Sequence, residues 1–317
     1  MSQKEVPRAG VIQAVRAGQF THAEAARALG LSERQIRRVV HRVKAEGVAG
    51  LVHRSRGRPS GRGHAPALIA QIAELEATLY FDYNDYHLAR TLADEHALEV
   101  SREWLRRWRR ARGRGPQHPR RPTVPRGRRT PAARAGALLL IDGSTHAWLQ
   151  ARGPRACLQG LYDDATRVWT ALVFRPAEDL HGYLTALEET AHTHGLPAAL
   201  YGDRHTLFVR SDAHWTRAEQ LAGRQTPTAF GHVLQALAIG YHAAHSPQAK
   251  GRIERAWGTL QDRLVKFLRR HAVEDYATAT AYLPLFLARH HAEFAVAPAD
   301  PTPAWRPAPP ALSAACC

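Results

Sequence analysis

His245-Ser246-Pro247-Gln248-Ala249-Lys250-Gly251-Arg252-Ile253-Glu254-Arg255 is the stretch on which the reading of this chain turns. Ser246 is a favoured helix N-cap, and Pro247 suits the first helical position, where its missing N–H leaves nothing unpaired. Apolar residues then recur at Ile253, Trp257, Leu260, Leu264 and Phe267, the spacing of an amphipathic helix with one buried stripe. Glu254 falls off that stripe, and Lys250 and Gln261, four and seven residues away, share its side. Taken alone, Glu254 is a solvated acid on an amphipathic helix. An acid kept beside a lysine and away from the apolar seam is also how a helix presents a functional carboxylate. The surrounding sequence has to decide.

Upstream, Ala137-Leu138-Leu139-Leu140-Ile141 reads as a buried central strand that ends at Asp142-Gly143-Ser144. Ala198 to Gly202 is a shorter strand, and Asp203 follows it. Between them, Cys157–Tyr162 and Arg167–Phe174 form a hairpin around Asp163-Asp164-Ala165-Thr166, where acids serve the turn by local hydrogen bonding. Glu178–Gly195 and Ala229–Ile239 are helical, residues 209–226 form a polar excursion, and Gly240–His245 is a strand that feeds the Glu254 helix. The order β-β-β-α-β-α-β-α predicts a mixed sheet with helices packed on it. Two strand-end acids and one helix acid can converge on one point. Three carboxylates without a thiolate suit hard cations, Mg²⁺ above all in phosphate chemistry, with Mn²⁺ as its substitute. Two such ions would activate the attacking oxygen and stabilise the leaving one in a phosphodiester displacement.

Charge divides the 317 residues unevenly. The net charge is +16, of which residues 1–134 carry +15, from 27 Lys and Arg against 12 Asp and Glu, and residues 135–317 only +1. The front is therefore a footprint for a polyanion and the back an ordinary globular body. A membrane surface is the weaker candidate, since no basic helix has a bulky apolar face. Three cysteines, Cys157, Cys316 and Cys317, form no disulfide framework and fit a reducing compartment, and none precedes residue 157 to build a Cys-containing zinc finger. With no signal-like apolar run and no stretch of about 18 apolar residues, the expectation is a soluble, cytoplasmic, nucleoid-associated protein.

Within the front, His22–Leu29 is a helix closed by Gly30, and Ser32 opens the next with Gln35 as capping-box partner. Small Ala26, the turn glycine and inward Ile36 have the spacing of a helix-turn-helix, whose second helix enters the major groove. Its outward positions, Arg34, Arg37, Arg38, His41 and Arg42, are the candidate DNA readers. A plain bundle with a solvated basic face is the alternative. A second, looser unit follows. Leu68, Ile72, Leu75 and Leu79 mark one helix, Leu88 and Leu92 another, and Ser101 caps a third that carries Trp104, Leu105, Trp108 and Arg102, Arg106, Arg107, Arg109 and Arg110. Arg106 and Arg107 are its candidate DNA contacts, although no glycine marks its turn. Residues 112–134 hold eight arginines and no acid, and read as an extended strap along phosphates or as a solvated linker.

These residues together amount to a family resemblance. The D-G-S-x-H-x-W at Asp142, the Y-x-D ending at Asp203 and the S-P-x-x-K-G-x-I-E-R ending at Arg255 resemble insertion-sequence transposases of the DDE group, with the retroviral-integrase type of RNase H-like core. Thr226–Ile239, Thr259–Leu264 and G-L-V-H-R-S-R-G-R-P-S after the basic front look like that group too, so the resemblance covers roughly residues 10–300. It implies Asp142, Asp203 and Glu254 as catalytic, metal-binding acids holding two Mg²⁺, with Lys250 and Arg255 touching DNA phosphate. A loop is inserted between Asp203 and Glu254, which leaves Asp212 as a rival to Asp203. The chain ends soon after the core in a Pro/Ala-rich tail, which leaves room for a truncated or inactive copy.

The expected fold is an α/β RNase H-like core, a mixed five-stranded sheet with flanking helices, preceded by all-α helix-turn-helix units. The expected organisation is a helix-turn-helix domain over 1–50, a basic linker over 51–64, a second helix-turn-helix-like domain over 65–112, an Arg/Pro-rich linker over 113–134, the catalytic core over 135–275 and a C-terminal helix and tail over 276–317. The implied function is a transposase that binds the terminal inverted repeats of its element, cleaves and transfers strands of double-stranded DNA, and works as a homodimer or larger assembly with no small-molecule substrate and no membrane. A catalytically inactive DNA-binding repressor and a structure-selective nuclease are the rivals. Trp148, Trp169 and Trp257 are expected in the core, Trp215 is a candidate DNA contact, and His290-His291 are expected on a surface helix.

Overall fold

A computed structural model of the chain describes residues 5–52, 63–115, 129–210, 215–244 and 251–309. The chain divides into two compact units, Met1–Pro119 and Arg120–Cys317.

The first unit is helical: α1 (Glu5–Arg16), α2 (His22–Leu29), α3 (Glu33–Glu46) with a 3-10 turn at Gly47–Leu51, then α4 (Pro66–Thr78), α5 (Asp85–His96) and α6 (Arg102–Ala111). The first three helices close over Ile12, Ala25, Ala26, Ile36, Val43 and Leu51. Gly30 takes the left-handed conformation at φ 62°, and the Ser32–Gln35 capping box forms, as the spacing required. Thr21 and Glu24 build a second capping box that the sequence reading passed over. The last three helices close over Ile72, Tyr80, Tyr83, Leu88, Leu92 and Leu105. Their turn has no glycine because Ala97 itself takes the left-handed position at φ 54°, while Ser101 caps α6 through the Trp104 N–H.

The second unit is a five-stranded sheet with helices on both faces. Its elements are β1 (Leu139–His146), β2 (Ala156–Asp163), β3 (Trp169–Arg175), α7 (Leu180–Thr193), β4 (Ala199–Gly202), α8 (Arg217–Ala222), α9 (Ala229–Ala236), β5 (Gly240–Ala243), α10 (Gly251–Arg270) and α11 (Tyr276–Phe294). The strand order is β3-β2-β1-β4-β5. β1, β2 and β3 pair antiparallel, and β1-β4 and β4-β5 pair parallel. This is the RNase H-like order, so the predicted fold is the one found. The excursion over 209–226 is not wholly irregular, since α8 forms in it behind a Thr216–Glu219 capping box.

Alternation along β1 sorts the two cores. Leu140 packs with Ile253, Trp257, Leu260 and Leu264 of α10 and with Leu283 and Phe286 of α11. Leu139 and Ile141 pack with Tyr183, Ala186 and Leu187 of α7 and with Phe230 and Leu234 of α9. Asp163 and Asp164 are buried at the hairpin and structural. Asp163 accepts the N–H groups of Gly136, Ala165 and Thr166. Asp164 accepts from Arg129, Arg252 and the Ala132 N–H.

Two expectations are corrected. The His290-His291 pair does not sit on a surface. His290 is buried between Phe286 and Phe294, where desolvation lowers its pKa to about 4, and His291 Nε2 accepts the Trp169 N–H at 3.1 Å. Arg109 is not on an outer face of α6. It is buried against Glu76 and Asp85, at 2.6 and 2.8 Å.

Candidate active site

Asp142 and Asp203 are brought side by side by strand register. β1 and β4 pair parallel with Leu139 opposite Leu200 and Leu140 opposite Tyr201. Carrying that register two residues further sets Asp142 beside Asp203, just past the end of β4. Both acids are half-buried. Tyr241 of β5 lies beneath them and donates its hydroxyl to the Asp203 carbonyl at 2.7 Å. Burial raises the Tyr241 pKa, and the Asp203 and Asp142 carboxylates add to the rise. Gly202 makes room for this ring, since a Cβ there would lie 2.4 Å from the tyrosine oxygen.

Parity puts Asp142 and Ser144 on the face of β1 that meets α10. Trp257 Nε1 donates to Asp142 Oδ2 at 3.1 Å, and Gln261 Nε2 donates to Ser144 Oγ at 2.8 Å. Residues four apart on a helix advance by about 6 Å and residues two apart on a strand by about 6.6 Å, so the two rungs match. They lock the register of α10 against β1. Trp257 belongs to the core, as expected, and also has this second contact, which the sequence did not signal. Glu254 is exposed in the first turn of α10, three residues before Trp257 and so on the same side of the helix.

Among the described residues, no group of three or more His, Cys, Asp or Glu side chains stands close enough to hold a metal ion. Asp142 and Asp203 are thus together, and Glu254 does not close a ligand cluster with them. Residues 245–250, which hold the expected Ser246 cap, Pro247 and Lys250, lie outside the described residues, as does the rival Asp212. The donor set is all carboxylate oxygen, which fits Mg²⁺ and disfavours softer ions.

Behind β1, sequence reasoning missed a further group. Gly143 leaves space for Tyr183, Cys157 and the carboxyl of Glu178, all of which a Cβ would meet within 3.0–3.2 Å. Tyr183 donates its hydroxyl to Glu178, and burial pushes the Cys157 thiol up to about 11. The clue in the sequence was the small residue directly after the strand acid.

The expected DNA readers of α3 stand largely where the helix wheel put them. Arg34, Arg37, Arg38 and His41 are exposed, and Arg42 is half-buried with its Nε enclosed and unpartnered. Arg37 pairs with Glu33 at 3.0 Å. On α6, Arg106 and Arg107 both engage Glu103, at 2.6 and 3.0 Å. Arg255 is exposed beside Glu254, and Trp215 is exposed.

A basic helix-turn-helix front joined to an RNase H-like core defines the class. Residues 8–65 match the winged helix-turn-helix family. The y4bF protein of Sinorhizobium fredii, named as a transposase, is 37% identical over 311 residues, covering 97% of this chain and 66% of that protein. The transposase of insertion sequence IS1202 from Streptococcus pneumoniae is 27% identical over 322 residues, covering 90% of this chain and 67% of that one. The chain spans about two thirds of the length of these relatives. Among solved structures, a simian T-cell lymphotropic virus intasome in complex with a PP2A regulatory subunit covers 68% of this chain and 66% of its own at 16% identity, with a TM-score of 0.37. The HTLV-2 integrase catalytic core in complex with magnesium covers 49% and 84% at 14% identity, with a TM-score of 0.32. The chain belongs to the family of these transposases.

Proposed function

We propose that this protein binds the terminal inverted repeats of its own element and catalyses Mg²⁺-dependent DNA strand cleavage and strand transfer. The observation that carries the reading is the placement of Asp142 beside Asp203, with α10 registered on Asp142 through Trp257. Asp142, Asp203 and Glu254 would hold two Mg²⁺ ions, with Mn²⁺ as substitute. When bound, the metal supplies charge stabilisation and an activated oxygen nucleophile at phosphorus. The chain's own part is to fix two carboxylates on neighbouring strands, orient one through an indole N–H and present the third from α10. Water breaks the first phosphodiester and frees a 3′-hydroxyl. That hydroxyl then attacks a target phosphodiester, forming one P–O bond and breaking another, so one site serves both displacements. Arg34, Arg37, Arg38, His41 and Arg42 would read the ends, Arg106 and Arg107 would add contacts, and Lys250 and Arg255 would hold phosphate near the third acid. Two ends must be held together, which calls for a homodimer or larger assembly working in the cytoplasm at the nucleoid.

The test is a nicking and strand-transfer assay on a duplex carrying an element end. The wild type cleaves with Mg²⁺, and Asp142→Asn, Asp203→Asn and Glu254→Gln each lose about 1,000-fold or more, because several kcal/mol of charge stabilisation goes with the acid. Specific binding with no Mg²⁺-dependent cleavage would overturn the enzyme reading. It would favour an inactive DNA-binding repressor.

A further inference from the structure

At the hairpin turn of residues 163–167, a cleft of about 800 Å³ opens between the start of α10, the end of α11 and residues 129–133. Four arginines line it: Arg129, Arg167, Arg252 and Arg255. One carboxylate, Asp164, is 1% exposed and takes Arg129 at 2.7 Å and Arg252 at 2.5 Å. Two guanidiniums on a single acid leave one positive charge over. Arg167 and Arg255 are exposed and make no ion pair among the described residues. The cleft therefore carries three uncompensated positive charges, while Phe294, Val296 and Ala297 give it an apolar side.

Arg167 strengthens the case. Its backbone is left-handed at φ 63°, a conformation that costs a non-glycine residue of order 1 kcal/mol and that glycine or asparagine would take more readily. The turn leaves this long cation exposed at the mouth of the cleft, with no ion pair among the described residues. Arg252 and Arg255 lie three apart on α10, so about 5–6 Å separates their Cβ atoms, and Glu254 sits between them in sequence.

The geometry points to a backbone-phosphate subsite. The cleft of Arg129, Arg167, Arg252 and Arg255 grips successive phosphates of the DNA strand that runs on from the catalytic acids. This rests on the reading that the core acts on DNA, and adds to it a defined path for the strand across the hairpin turn at residues 163–167. The Asp164 clamp holds two of the arginines in place for it, and also anchors residues 129–132 to the core.

The experiment measures binding of the full chain to a duplex of arbitrary sequence, in Ca²⁺ so that no cleavage intervenes, as a function of salt. Arg167→Asn is the principal variant, because asparagine suits the left-handed backbone and leaves the fold at least as stable. Each lost phosphate contact lowers the slope of log affinity against log salt by about 0.9. Arg167→Asn is expected to lower it by about that amount, and Arg167→Asn with Arg255→Gln by about twice as much, with the thermal transition unchanged for the single variant. A slope equal to wild type in the double variant overturns the subsite. The readout involves no turnover, so a wild type that cleaves while the slope stays fixed sinks the cleft alone. A slope that falls in a protein that never cleaves keeps the cleft and sinks the catalytic reading.

Discussion

Two helices of the N-terminal unit, α3 and α6, are alike in sequence and unlike in what their arginines face. Each follows a capping serine, carries a glutamate in its first turn and displays a run of arginines. On α3, Glu33 takes Arg37, while Arg34 and Arg38 project into solvent with no ion-pair partner among the described residues. On α6, Glu103 takes Arg106 and Arg107, and Arg109 is buried with Glu76 and Asp85. An arginine count therefore does not define a DNA-reading face. The position of the carboxylates does, because a guanidinium already bonded to one has to exchange that partner for a phosphate.

The largest effect that would sharpen this contrast is on stability. Arg109 and Glu76 have side chains only 8% and 4% exposed, and Arg109 also donates to the Tyr83 carbonyl, tying α4, α5 and α6 together. Arg109→Met leaves Glu76 with Arg114 alone and is expected to cost about 3–5 kcal/mol, the loss typical of breaking a buried pair from one side. Arg38→Ala, with nothing to lose in the fold, should stay within about 0.5 kcal/mol. Urea denaturation of the full chain reads both. Equal, small effects would erase the difference between the two helices.

The next effect reverses the ranking. Arg34→Ala and Arg38→Ala should each weaken binding to an element end by about tenfold, the scale of a lost base or phosphate contact, while Arg107→Ala should cost far less because Glu103 already holds that side chain. Fluorescence anisotropy on one labelled duplex measures all three. If the α6 variant loses as much as the α3 variants, both helices face DNA and the comparison fails.

The same physics explains what the sequence could and could not disclose. Local signals carried through: the Ser32 and Ser101 caps, the Gly30 turn, the buried apolar run of Leu139, Leu140 and Ile141, and the period from Ile253 to Phe267 each depend on neighbours in the chain, and each is found. Asp142 was legible because an apolar run broken by an acid is locally odd, although the expected strand end is not there: β1 runs on to His146, and Asp142 lies at its middle. What failed or went unseen depends on partners distant in sequence. Arg109 needs Glu76, 33 residues away, His290 needs the closure of α11 on the sheet, and the indole of Trp257 meets Asp142 across 115 residues. Glu254 lies between these cases. Its helix and exposure were readable, but its distance from the two aspartates depends on the packing of α10 on β1, set by Trp257 and Gln261.

The smallest effect is the most discriminating for α6 itself. Hydrogen bonds from Arg106 and then Arg107 hold the Glu103 carboxyl down to about 2, so it stays ionised and keeps both arginines at any pH in which DNA binding is measured. Its pairing is lost only as pH falls through that value, and acid is therefore no tool for releasing them. Glu103→Gln is, because it keeps the side chain's size and removes its charge. Freed of their partner, Arg106 and Arg107 can turn outward, and a DNA-facing α6 then gains affinity, with the salt slope steeper by up to about 0.9 for each arginine that reaches a phosphate. An α6 that faces away from DNA gives a slope indistinguishable from wild type. In that event Arg106 and Arg107 serve only to brace the first turn of α6 through Glu103, and the reading of DNA by the front unit falls to α3 alone.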